Sequence, residues 1–83
     1  MQMQRLKIKK DCVVEIEIFN WHDSPPISYL TDVIKKGSKV LVANYIRKET
    51  KTKTTFDLLL PDYADGKGFS FITLKNSDFE VRD

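Results

Sequence analysis

Between Leu6 and Phe19 apolar and charged residues alternate one by one: Leu6 and Ile8 against Lys7 and Lys9, then Val14, Ile16 and Ile18 against Glu15 and Glu17. A period of two puts every apolar side chain on one face of an extended chain, whereas a helix of 3.6 residues per turn scatters them. The segment is therefore expected to be strand with one buried and one wet face. Lys10, Asp11 and Cys12 interrupt the pattern, which reads as one long bent strand or two short ones, with a turn or bulge near Lys10 and Asp11.

Asn20 to Pro26 combines turn formers with two prolines that cannot donate ladder hydrogen bonds. Asp23 or Ser24 can then cap a helix, with Ile27, Leu30, Val33 and Ile34 on one side, Lys35 and Lys36 at its negative end and Gly37 as a left-handed stop. This spacing predicts a short helix over about 27–36. Lys39 to Arg47 reads as a central strand, apolar on both faces. Lys48 to Lys53 is wholly polar, and Thr54, Phe56, Leu58 and Leu60 resume alternation until Pro61, making a long hairpin with a polar tip. Asp65-Gly66 marks another turn, after which Phe69 to Leu74 and Phe79 to Val81 are further strands around a turn at Lys75-Asn76-Ser77. The expected fold of residues 1–83 is one mainly β domain: a small SH3-like or OB-like barrel, or a curved antiparallel sheet, of five or six short strands with one short helix. An α+β sheet with the helix packed on one face is the alternative.

Chemistry-bearing residues are few. Cys12 is the single cysteine and sits in a strand pattern, so neither a disulfide nor a cysteine zinc site is expected, and a buried thiol is. His22 is the single histidine, and the acidic loop from Asp62 to Gly68 has Ala64 where a calcium ligand belongs. No cofactor and no metal are expected. Nothing assembles a nucleophile, a base and an oxyanion donor, so an enzyme is not expected either. The segment Met1 to Lys10 has no apolar leader and no apolar run is long enough to span a bilayer, which makes a reducing cytoplasm the expected compartment and membranes no partner.

Charge distribution says more than its total of +2. Residues 5–10 carry +4 and residues 35–53 carry +6, while 11–34 carry −5 and 54–83 carry −3. The basic block falls on the hairpin, and its cations with a nearby aromatic (Lys39, Tyr45, Arg47, Lys48, Lys51 and Lys53) suit phosphate tracking and base stacking. Lysines at a hairpin tip equally keep an exposed edge soluble. The first functional reading is thus a small non-enzymatic module binding nucleic acid through this basic hairpin.

The alternative, held nearly level, is a protein-interaction module, an adaptor or an inhibitor of a larger protein, in character like small accessory proteins of viruses or mobile elements. It rests on nine aromatics in 83 residues and on a loop carrying Trp21 and His22, with Tyr29 and Tyr63 as further contacts. A homodimer through an edge strand is a version of it. Charge geometry separates the two: one continuous basic face favours nucleic acid, and mixed charge around an aromatic patch favours protein.

Overall fold

A computed structural model describes residues 3–20, 28–60 and 68–82. Among the described residues eight strands are present: β1 Met3–Ile8, β2 Cys12–Asn20, β3 Ser28–Ile34, β4 Lys39–Ala43, β5 Lys48–Glu49, β6 Lys53–Leu60, β7 Gly68–Lys75 and β8 Phe79–Arg82. All pairings are antiparallel, in the order β3-β2-β7-β6-β4-β1-β8, with β5 alongside β6. The protein is mainly β and its sheet is curved around one core, but β3 and β8 end the sheet without pairing to each other, so hydrogen bonds do not close it into a barrel.

The alternation at the start of the chain folds as a bent pair. β1 pairs with β4 and β2 with β3, and a single register runs through both halves: Met3 faces Ala43, Lys7 faces Lys39, Cys12 faces Ile34 and Ile18 faces Ser28. The two halves meet at a corner made by residues 9–11 on one strand and 35–38 on the other. Gly37 N–H donates to the Ile8 carbonyl at 2.8 Å, Ile8 N–H to the Ser38 carbonyl at 2.9 Å, and Lys36 N–H to Asp11 Oδ1 at 2.7 Å. Asp78, almost fully buried, accepts Lys10 Nζ at 3.3 Å, and its backbone carbonyl accepts Lys9 N–H at 2.8 Å. The break expected near Lys10 and Asp11 is therefore a corner, and past it the chain lies in a different part of the sheet.

The segment 27–36 is strand, not helix: β3 covers Ser28–Ile34, and Ile27 lies outside the described residues. Thr31, Val33 and Ile34 are β-branched and Tyr29 is aromatic, residues that pack better on a pleated surface than on a helix. β2 has an edge that β3 satisfies, while Leu30 and Ile34 pack against the core. Gly37 keeps its left-handed backbone, φ +88°, but at the third position of a turn closed by Ser38 N–H to the Lys35 carbonyl, 3.1 Å. Among the described residues the only helical turn is a 3-10 turn at Asn76–Asp78. Among the described residues the strands number eight rather than five or six because β3 stands where the helix was expected and Lys48–Glu49, expected in the polar hairpin tip, pairs with β6 as the short strand β5.

Alternation fixes the core. Leu6 and Ile8, Val14, Ile16 and Ile18, Val40 and Val42, Phe56 and Leu58, and Ile72 and Leu74 all point inward, with Cys12 among them. Each fully buried large apolar side chain contributes roughly 1.5–3 kcal/mol relative to exposure. Burial, with Asp78 and Asp11 nearby, pushes the Cys12 thiol up and keeps it protonated, against the weaker pull of Lys10. At the β3 edge, Asp32 Oδ1 accepts Val33 N–H at 2.9 Å, which occupies one edge donor and blunts strand pairing there.

Candidate functional site

Residues of the opposite parity populate the outer face of β2, β7 and β6. Phe19 lies directly across from Phe69, and one step along the sheet Tyr29, Glu17, Phe71 and Asp57 form a row across four strands. The Phe19 and Phe69 rings stack with centroids 4.9 Å apart and planes 8° from parallel. Phe71 completes the triad, 4.9 Å from Phe19 and 5.3 Å from Phe69. All three are partly buried, yet none belongs to the core cluster on the inner face. This is a second apolar cluster on the side of the sheet where a small β domain ordinarily places polar residues.

Arg47 is anchored over it. Its Nε donates to Asp57 Oδ1 and its Nη2 to Asp57 Oδ2, both at 2.9 Å, and its guanidinium carbon lies 4.7 Å from the Phe71 centroid and 5.8 Å from that of Tyr45. The Tyr45 hydroxyl also donates to Asp57 Oδ2. A β-bulge explains how Arg47 reaches this face. Arg47 N–H donates to the Thr55 carbonyl at 2.9 Å while Lys48 already pairs with Thr55, so two residues oppose one and the Arg47 side chain turns outward, away from buried Phe56.

The electrostatics follow from this geometry. Burial alone raises the Asp57 pKa, but hydrogen bonds from Arg47 and Tyr45, with the guanidinium charge, outweigh it and hold the carboxyl below its ordinary value. The hydrogen bond to Asp57 is also the main reason that Tyr45 and Arg47 hold their protons more tightly than usual. Around the triad the charges are mixed: Glu15 and Lys53, 3.6 Å apart, the Arg47–Asp57 pair, and Glu17 between Tyr29 and Phe71.

The residues singled out in the sequence are distributed unevenly. Tyr45 and Arg47 come together with Asp57, and Tyr29, 68% exposed, borders the same face two strands from Phe71. Lys48 is on β5, exposed, and Lys53 is engaged with Glu15. Lys51 sits at a hairpin tip that is tied down: Asn76 donates from its N–H to the Thr52 carbonyl at 2.8 Å and from Nδ2 to the Thr50 and Lys51 carbonyls at 3.3 Å each. Lys39 lies apart from the tip, opposite Lys7 in the other half of the molecule. Trp21, His22 and Tyr63 lie outside the described residues. Phe19, Phe69 and Phe71 are not among the residues that charge and loop position point to, although their parity separates them from Ile18, Ser70 and Ile72.

Among the described residues no group of three or more His, Cys, Asp and Glu side chains is placed to hold a metal ion, and no helix is long and apolar enough to cross a membrane. Compared with known families, curated proteins and solved structures, the chain matches none.

Proposed function

We propose that this chain is a protein-interaction module that docks through the outer face built by Phe19, Phe69, Phe71, Tyr45 and Arg47, with Tyr29 at its margin. The observation that carries the reading is the phenylalanine triad on the non-core face, with an arginine fixed above it. Aromatic side chains and arginine dominate binding energy where they are held in place before the partner arrives, because little ordering entropy is then lost on docking. Mixed charge around the patch suits a protein surface better than a phosphate backbone. The hairpin residues best suited to contact nucleic acid, Tyr45 and Arg47, are committed to Asp57.

Photo-crosslinking tests this directly. A photoreactive phenylalanine analogue at position 71 is expected to capture one protein in the native cells, and the same analogue at Met3, exposed on β1, is not. Capture at 71 should be competed by the wild-type chain and not by Phe69→Asp. Equal capture at both positions, or capture of nucleic acid alone, would overturn the reading.

A phosphate-binding surface is the second reading, on one observation: Lys7 and Lys39 are directly opposed on β1 and β4, with Arg5 on the same face of β1. Like charges directly opposed across a strand pair are destabilising, and although Glu80 lies opposite Lys7 on β8, Arg5, Lys7 and Lys39 leave this face net basic. Fluorescence anisotropy with single-stranded and duplex oligonucleotides decides it. Affinity that falls steeply with salt and is lost in Lys7→Glu/Lys39→Glu would support this reading, and no binding at low salt would eliminate it.

A further inference from the structure

A cleft of about 480 Å³ opens between β5 and β8, well away from the centre of the phenylalanine face. Its floor is Phe56 and Phe79, packed edge to face at 5.6 Å, and its rims are Ile46 and Val81, each 51% exposed. Both flanking strands turn unpaired backbone toward it. On β8, Lys9 N–H donates to the Asp78 carbonyl and Phe79 faces Ile8, Glu80 faces Lys7 and Val81 faces Leu6. Antiparallel bonding alternates residue by residue, so Glu80 is turned to β1, while the N–H and C=O groups of Phe79 and Val81 point away from it. On β5, Thr50 N–H donates to the Lys53 carbonyl and Lys48 faces Thr55, which turns the Glu49 backbone away from β6 by the same rule.

We infer that this cleft accepts an extended segment of a partner polypeptide as an added strand along the free edge of β8. The segment bonds to the Phe79 and Val81 backbone, and alternate apolar side chains descend between Ile46 and Val81 onto the phenylalanine floor. Outward backbone donors and acceptors repeating every second residue match an extended peptide, and a compact small molecule does not satisfy that repeat. The charge of the occupant is also set. Glu49 is the single formal charge among the described residues lining the cleft, so the incoming segment carries a lysine or arginine facing it. This inference is independent of the phenylalanine-face reading: among the described residues the two sites share only Tyr45.

The test is selection of random linear peptides, displayed on phage, against the full chain. Enriched peptides are expected to alternate apolar residues and to carry at least one Lys or Arg. Val81→Pro removes an N–H that points away from β1, a position where an edge strand tolerates proline, and is expected to weaken these peptides at least tenfold. Glu49→Lys should shift the enriched charge from basic to acidic. Ile46→Asp, at an exposed rim, is the second variant if Val81→Pro does not fold. Phe71→Asp is expected to leave peptide binding unchanged, which separates failure here from failure of the phenylalanine face. The inference is overturned if no peptide is enriched over selection on Ile46→Asp. Peptide binding indifferent to both cleft variants, or dimerisation of the chain itself that occupies the cleft and is abolished by them, would also overturn it.

Discussion

Arg47 and Asp57, ten positions apart, hold each other through two hydrogen bonds of 2.9 Å, and the guanidinium so fixed lies over Phe71 with its carbon 4.7 Å from the ring centre. The pair does two jobs at once. It fastens β6 to the bulge before β5, and it presents a cation and an aromatic surface in one orientation.

Asp57→Asn is expected to destabilise the domain by about 1–2 kcal/mol at pH 7, because a charge-assisted bidentate contact is lost from a mostly shielded carboxylate. The folded carboxyl titrates below its ordinary value, so its contribution is complete above the unfolded pKa of about 4 and disappears as pH falls through the lower folded value. Urea unfolding at pH 7 and at pH 2–3 checks this: the gap between wild type and variant should close at the acid end.

Phe56 and Phe71 should behave in opposite ways. Phe56→Ala empties a fully buried core position and is expected to cost about 3–5 kcal/mol, enough to unfold much of a domain this size. Phe71→Ala removes ring contacts and partly buried apolar area on the outer face and is expected to cost about 1–3 kcal/mol, while the unlabelled variant no longer competes with capture at position 71. Thermal melts and the crosslinking assay together separate the two.

Gly37→Ala places a Cβ where nothing lies within 4 Å, so no clash arises, yet φ +88° is unfavourable for any L side chain. The expected loss is about 1–2 kcal/mol, with Gly37→Asn milder, read from urea midpoints.

Lys39→Glu replaces a like-charged cross-strand pair with an attractive one. The variant is expected to gain about 0.2–1 kcal/mol at low salt, and the gain should shrink in high salt as exposed charges are screened. Denaturation at two ionic strengths measures both effects.

Much of the sheet is legible in the sequence because alternation is a strong signal where one face is dry. Val14, Ile16 and Ile18 point inward as their spacing requires, and the hairpin running from β4 to β6 is in place, with β4 central between β6 and β1. The β3 segment reads as helix from sequence because Leu30, Val33 and Ile34 fit a helical spacing as well as a strand one, and the need of β2 for a partner decides between them. The outer phenylalanines were open to the same parity argument, since Phe69 and Phe71 alternate with Ser70 and Ile72. The position of Arg47 was not open to it. A bulge of one residue reverses the parity of everything before it, and no local feature of Ile46-Arg47-Lys48 announces it.

The bent pair with its single register carries a lesson about inheritance. Deleting one residue between Ile8 and Cys12 alone would turn Val14, Ile16 and Ile18 toward water and Glu15 and Glu17 toward the core, because a one-residue slip exchanges the two faces of a strand. The corner can therefore lengthen or shorten only when residues 9–11 and 35–38 change together. Descendants of this sequence should balance any insertion or deletion in one of those two short segments by an equal one in the other, however far their other residues drift.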